Sequence, residues 1–390
     1  MENTMTLSKV NLTKAYEDSF KLFCGNEEDY IEALNALGAS RQAEKVKVNS
    51  VLFKAMPTPM EAYSICSGDD ILREIVMDTI ESGTKVYVEI DGTPFMLRDT
   101  ALASIYERLR IGGDVLNEIP AGLLAQHLND YAQYAVNEGL AIANNGKLEA
   151  ILGMKYTLVP VEELMISASA YFATGENPAR FIAGSYSHSY ADAMWKTGEC
   201  KMDAPIDTGL GDVVFEQNVV VSTSDCGRKA ITISPKMKRI DDKHGLEFCL
   251  PLKLEHDGKA SVEEFEKMLK LIDKRFADAN DRICDMASTY LNHPANVLLG
   301  MLKWLKIPAK YGAQVYERRK IMWDGIEKTS YDVYASLSEV LSLILGEEQN
   351  TYNLAMYQER FARALRFDYR GYDLPGIYGY QDKLIGAKGV

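Results

Sequence analysis

Apolar positions along the chain repeat with two different periods, and the period switches more than once. Between Glu27 and Leu37, Tyr30, Ile31, Leu34 and Leu37 recur at three- and four-residue steps, which is the spacing of one helix face. Residues 1–48 accordingly read as short amphipathic helical pieces. Thr58-Pro59-Met60-Glu61 and Ser67-Gly68-Asp69-Asp70 carry helix-start chemistry, and the second predicts a helix that stops near Gly83. A period of two follows. Val86, Val88 and Ile90 alternate with their neighbours, Asp91-Gly92 is a two-residue turn signal, and Phe95 to Leu97 return as the partner strand. Asn145-Gly146 predicts a second hairpin, between 140–143 and 148–152. Asp99 and Pro120 open helices through Arg108 and Ala135, and Pro160-Val161-Glu162-Glu163 starts another with acids in its first turn.

From about 178 to 255 the chain is rich in Val, Ile, Thr, Ser, Gly and Tyr and reads as strands. Here Val219-Val220-Val221-Ser222-Thr223 and Arg228-Lys229-Ala230-Ile231-Thr232-Ile233 are expected to be antiparallel neighbours joined through Ser224–Gly227, a run of turn formers. Helical spacing returns from Ser261, where Ser261-Val262-Glu263-Glu264 is a capping box, to Leu365. These patterns predict an α+β fold, a mixed helical and antiparallel β body with a helical C-terminal unit. The expected organisation is a helical N-terminal region over 1–84, an α+β core over 85–258, a helical unit over 259–366 and a Gly/Tyr-rich tail over 367–390. That tail is too apolar to be purely solvated and is expected to pack on its own body or on a neighbouring copy in a homo-oligomer.

Composition changes the picture only by exclusion. At 390 residues with 47% hydrophobic and 25% charged residues, the chain is an ordinary globular one. Its 43 basic against 56 acidic residues give a net charge of −13, which excludes a binder that works through global positive charge. No apolar run reaches the ~18 residues that span a bilayer, so no membrane partner is expected. Met1-Glu2-Asn3-Thr4 lacks signal-peptide character, and six cysteines without CxxC spacing suit reduced thiols, so the expected location is cytoplasmic.

Local motifs carry little catalytic chemistry. The five histidines are isolated, so no metal site is expected, and Thr208-Gly209-Leu210-Gly211-Asp212 lacks the rest of a dinucleotide loop. With no phosphate-cradling P-loop either, no cofactor is expected. Ser185-Tyr186-Ser187-His188 puts hydroxyls beside an imidazole, but adjacent strand residues face opposite sides. In Asp225-Cys226-Gly227-Arg228 the guanidinium could lower the thiol's pKa, and a plain turn is the simpler reading. The paired carboxylates Asp69-Asp70, Glu162-Glu163, Asp241-Asp242 and Glu347-Glu348 mostly flank helices.

Basic charge is patterned. Arg228, Lys229, Lys236, Lys238 and Arg239 fall in a stretch from Cys226 to Ile240 that has no acid. Lys303, Lys306, Lys310, Arg318, Arg319 and Lys320 are interleaved with Trp304, Tyr311 and Tyr316. Arg360, Arg363, Arg366 and Arg370 lie among Phe361, Phe367, Tyr369 and Tyr372. Cations that hold phosphates between rings that stack on bases are what single-strand binders use. The candidate nucleic-acid-binding residues are therefore Arg228, Lys229, Lys236, Lys238, Arg239, Lys310, Arg318 and Arg319. The competing reading is a solvated helix face with its aromatics buried.

Several stretches resemble, in collinear order, a phage/plasmid-like protein family, a domain of unknown function carried by mobile elements. Phe95 to Leu102 and Ile119 to Asn129 match its early part, Leu148 to Tyr156 is similar to its RAVLSDRY element, and Val220 to Gly227 resembles VVSNSEVG. Ala230 to Pro235 is similar to LSVSPF, and Ser330 to Glu339 to WDVYNALTE. The resemblance covers about residues 90–345. Gly153-Met154-Lys155 stands where the family has Ser-Asp-Arg, and the family's Cys-Asn-Gly has no counterpart around Asp242-Lys243-His244-Gly245. The resemblance implies a mobile-element protein in the host cytoplasm and no catalytic residue. Together with the basic clusters it predicts a protein that assists DNA recombination or replication by binding single-stranded DNA. A module that binds a host protein, such as an anti-defence factor, and an enzyme assembled from distant residues stand as alternatives.

Overall fold

The computed structural model describes residues 12–66, 69–112, 115–174, 178–201, 213–240, 246, 249–347, 351–384 and 386. Gly209 with its neighbours and Asp241 to Gly245 lie outside them. The fold is α+β, with helices, antiparallel and mixed sheets, and a helical C-terminal region. The chain divides into two compact units: Met1–Trp195 with Val221–Thr232 and Lys253–Leu269, and Lys196–Val220 with Ile233–Leu252 and Lys270–Val390.

The elements of the first unit begin with β1 (Lys21–Cys24), α1 (Glu27–Gly38), β2 (Gln42–Lys47), β3 (Leu52–Ala55), α2 (Pro59–Ile65) and α3 (Asp70–Glu81). Then come β4 (Val86–Ile90), β5 (Thr93–Leu97), α4 (Asp99–Leu109), α5 (Val115–Glu118), α6 (Ala121–Ala132), β6 (Glu138–Asn144), β7 (Lys147–Gly153), α7 (Val161–Ala173) and β8 (Arg180–Ser187). Local chemistry explains most boundaries. Thr58 and Glu61 form a reciprocal capping box on α2, and the Asp69 carboxylate accepts from Leu72 N at the start of α3. Both predicted hairpin turns carry two residues with positive φ, Asp91 and Gly92, then Asn145 and Gly146, as a tight turn matched to strand twist requires.

The N-terminal region is not wholly helical, because β1, β2 and β3 lie within 1–84. β2 has no apolar alternation, with Val46 its only buried residue, and it exists by pairing with β6 from Gln42↔Ala143 to Lys47↔Glu138. Pairing partners a hundred residues away leave no local signature. The sheet order is β2-β6-β7-β5-β4-β3, antiparallel except where β5 and β7 run parallel. Its core joins Val86, Val88, Leu97, Ile105, Leu124, Leu128, Leu148 and Ile151. The outer strand β3 is closed by Asn129 of α6, whose side chain accepts from Phe53 N at 2.8 Å and donates to Phe53 O at 2.8 Å.

The second six-stranded sheet has the order β1-β8-β9-β10-β11-β12, with β9 (Tyr190–Lys201), β10 (Val214–Thr223), β11 (Ile231–Arg239) and β12 (Leu252–Leu254). The expected β10–β11 neighbours are present. Ile240 N donates to Val214 O at 3.1 Å, which sets the end of β11 beside the start of β10, the antiparallel sense. The connection runs from Ser224 to Ala230, longer than the four residues expected, with Gly227 at φ +75°. α8 (Val262–Leu269) is capped by Ser261, which accepts from Glu264 N.

In the second unit α9 (Ile272–Ala287), β13 (Tyr290–Leu291), α10 (Pro294–Trp304), α11 (Ala309–Met322), β14 (Lys328–Thr329), α12 (Ser330–Ala335), α13 (Leu337–Glu347) and α14 (Thr351–Arg363) precede the tail. The tail packs on this helical body. Asp373 accepts from Asn292 N and His293 N at the start of α10, Asn296 donates to Leu374 O and Gly376 O, and Tyr316 donates to Tyr378 O at 2.6 Å. A Cβ on Gly300 would collide with Cδ1 of Tyr372. Gly300→Ala is therefore expected to push that ring off α10, cost about 1–3 kcal/mol and lower the Tm measured by calorimetry. An unchanged Tm would show that this contact does not hold the tail.

Candidate functional site

Charged side chains are buried in the first unit, where ions are expensive unless each is matched. The parallel register Met96↔Lys147 and Leu97↔Leu148 carries Arg98 alongside Glu149. On its other side β7 pairs with β6 as Ile142↔Ala150 and Ala143↔Leu148, so Glu149 is the extra residue of a β-bulge. Bulges re-aim side chains. This one accounts for a carboxylate held inside a strand that otherwise contributes Leu148 and Ile151 to the core.

Lys147, with no exposed surface, contacts the carboxylates of Asp18 and Asp78. Arg98 donates to Asp18 Oδ1 at 2.7 Å and to the carbonyls of Tyr16 and Ala15, and its Nε lies 3.8 Å from Glu149 Oε1. Arg98 sits at the N-cap of α4 without capping it, so Asp99 is the helix's first residue and not its cap. His188 Nε2 donates to Glu17 O at 3.0 Å, and its Nδ1 faces Glu149 Oε1 at 3.6 Å. A second set of ions centres on Arg41, whose Nη1 donates to both Glu162 carboxylate oxygens at 2.7 and 2.9 Å while its Nη2 lies 2.6 Å from Asp225 Oδ2. Within these two clusters the buried polar atoms Asp18 Oδ2, Arg41 Nε, Arg98 Nε, Glu149 Oε1, His188 Nδ1 and Asp225 Oδ1 have no hydrogen-bond partner.

Burial pushes the Asp225 carboxyl up to about 7, opposed by Arg41 and aided by Glu149 and Glu162. Burial raises the Tyr186 phenol well above its usual range, and Glu149 and Asp225 add to that rise. It also lifts the Cys226 thiol to about 11 although Arg228 pulls the other way, so the Asp225-Cys226-Gly227-Arg228 turn holds a neutral thiol and not a thiolate nucleophile. The hydroxyls near His188 are engaged elsewhere, Ser185 with Asp192 at 2.5 Å and Ser187 with Tyr190 O. Among the described residues no group of three or more His, Cys, Asp or Glu is placed to hold a metal ion.

The sequence-derived basic residues are dispersed. Arg228 is exposed in the turn after β10, and Lys229 lies over the Tyr190 ring at 4.7 Å. Lys236, Lys238 and Arg239 are half-buried on β11, with Lys236 and Lys238 on one face and Arg239 on the other by strand alternation. On α11, Lys310 pairs with Glu347 at 2.7 Å, and Arg318 and Arg319 both pair with Glu339. The interleaved rings are largely core: Tyr311, Tyr316, Phe361, Phe367 and Tyr369 are buried. The exceptions are Trp304, at 45% exposure, and the half-buried Tyr372.

A different basic site stands out in the second unit. Arg275, Asp278, Ala279 and Arg282 share one face of α9, and with Leu250, Leu365 and Arg366 they line a cleft of about 400 Å³. Arg282 is fixed by donating to Leu365 O at 2.7 Å and to Asp285. Among the described residues neither Arg275 nor Arg366 has a carboxylate within ion-pair distance. Density of basic residues along the chain picks out Arg366 but misses the α9 part of this site, because Asp273, Asp278, Asp281 and Asp285 are interleaved on the same helix. On α9 the readable signal was the i, i+7 spacing of Arg275 and Arg282.

No helix among the described residues is long and apolar enough to cross a membrane. Set against family models, curated proteins and solved structures, the chain matches none of them.

Proposed function

We propose that the protein binds single-stranded DNA through the arginine-lined cleft of its second unit, in the service of recombination or replication of a mobile element. The observation that carries this reading is the convergence of Arg275, Arg282 and Arg366 on one cleft, two of them without a carboxylate partner among the described residues, on a chain of charge −13. Unpaired guanidiniums at a surface are suited to phosphate oxygens, which they grip in a planar fork. Arg282, held by backbone carbonyls, fixes one wall of the site. The Trp304 ring lies 5.7 Å from that of Phe367, the residue after Arg366, and its exposed face suits stacking on a base. The collinear resemblance to a mobile-element family favours the same reading.

The test is fluorescence anisotropy with a labelled oligonucleotide across a salt series. Arg275→Glu with Arg366→Glu is expected to weaken binding at least tenfold and to reduce the salt dependence by the two phosphate contacts removed. Lys310→Glu, which removes a cation already matched to Glu347, is expected to leave binding near that of the parent. No binding at low salt, or equal binding by parent and double variant, would overturn the proposal.

A further inference from the structure

Residues 12–20 form neither helix nor strand, yet they are tied down by unusually polar contacts. Most of these contacts run from donors on the body of the first unit to acceptors on the segment. Arg98 donates to Ala15 O, Tyr16 O and the Asp18 carboxylate, His188 Nε2 donates to Glu17 O, and Lys147 contacts Asp18 Oδ1 at 3.0 Å. One carboxylate oxygen of Asp18 thus bridges two cations, while Oδ2 has no partner. Behind it Arg98 Nε, His188 Nδ1 and Glu149 Oε1 are also unpartnered, on side chains exposed by 3%, 6% and 2%. The other charged groups facing this spot are Asp78 of α3, which pairs with Lys147, and Glu149 of the β7 bulge.

A buried guanidinium and ammonium that share one carboxylate oxygen present what an oxyanion site presents. Tyr16 also donates to Glu74, Asp18 N donates to Asp78 and Ala15 is buried, but the Asp18 carboxylate is the part of the segment set against fixed cations. We infer that Arg98, Lys147 and His188 form an oxyanion-binding site, and that Asp18 on the 12–20 strap occupies it as an internal substitute for a phosphate or carboxylate group of a ligand. The strap is then an autoinhibitory plug. A tethered carboxylate competes at an effective concentration in the millimolar range, so the intact chain responds weakly to small anions and a chain without the Asp18 carboxylate responds strongly.

The test compares the full-length parent with Asp18→Ala by thermal unfolding in inorganic phosphate, in acetate and in chloride at equal ionic strength. Asp18→Ala is expected to gain a few degrees of Tm for each tenfold excess of anion over Kd, in phosphate or acetate but not in chloride, and the parent is expected to gain far less. Response to phosphate alone identifies a phosphoryl group as the ligand chemistry, and response to both identifies a carboxylate-compatible site. Adding Arg98→Met to Asp18→Ala should abolish the gain. A folded Asp18→Ala protein with the same Tm in all three salts overturns the inference. If Asp18→Ala does not fold, hydrogen exchange of residues 12–20 in the parent decides. Exchange that accelerates in phosphate relative to chloride supports displacement of the strap, and unchanged exchange overturns it.

Discussion

Arg41→Met is expected to destabilise the first unit by about 3–5 kcal/mol, the range for stripping one partner from a buried ion pair. Arg41 is the cation matched to both Glu162 and Asp225, and its side chain and that of Asp225 are each 7% exposed. Methionine fills comparable volume, so the loss is electrostatic and not a cavity effect. Both carboxyl groups would remain in a low-dielectric setting without the guanidinium's charge and donors, and water could reach them only if the packing opened. Adding Glu162→Gln and Asp225→Asn to Arg41→Met should recover most of the loss, since a neutral, hydrogen-bonded set avoids the desolvation of ions. Urea denaturation of the single and triple variants measures both effects. A single variant within about 0.5 kcal/mol of the parent, the scale of an ordinary surface substitution, would show that Arg41 is not buried as described.

Asp225 carries the second large expectation, a loss of stability with rising pH. Its carboxyl titrates near 7 when folded, because burial outweighs Arg41, whereas an unfolded Asp titrates near 3.9. Between those values the folded state holds a proton that the unfolded state has released. Stability from this group therefore falls as pH rises from about 4 to about 7, by up to roughly 4 kcal/mol at 1.36 kcal/mol per unit. Asp225→Asn removes the titration while keeping shape. The stability difference between parent and Asp225→Asn should be constant below pH ~4, move in favour of the asparagine variant through the window, and level off above about 7. A difference independent of pH between about 4 and 7 would mean that Arg41 holds Asp225 ionised across that window.

Elements whose cause is local were legible from the residues alone. Asp91-Gly92 and Asn145-Gly146 sit at positive φ because few other residues tolerate it, and Thr58, Asp69 and Ser261 cap helices through bonds spanning three residues. The α1 stripe of Tyr30, Leu34 and Leu37 is buried as its spacing predicts. The β10–β11 pairing was readable for the same reason, since two β-branched runs flank a short stretch of turn formers.

What the sequence could not determine depends on residues distant along the chain. β2 is polar and becomes a strand only because β6 offers its edge. Glu149 enters the interior because a one-residue bulge rotates it there, and its neighbours Arg98 and His188 arrive from β5 and the β8–β9 turn. Basic residues counted as candidates by local density, Lys310, Arg318 and Arg319, are matched to Glu347 and Glu339 across helix–helix contacts that no spacing rule reports. Arg275, Arg282 and Arg366 converge although ninety residues separate the first from the last. Backbone propensity and capping act within a few residues, so the amino-acid sequence by itself determined the helices, the hairpins and the α+β class. Charge pairing and desolvation act through space, so only the tertiary structure decided which charged groups are matched and which are not.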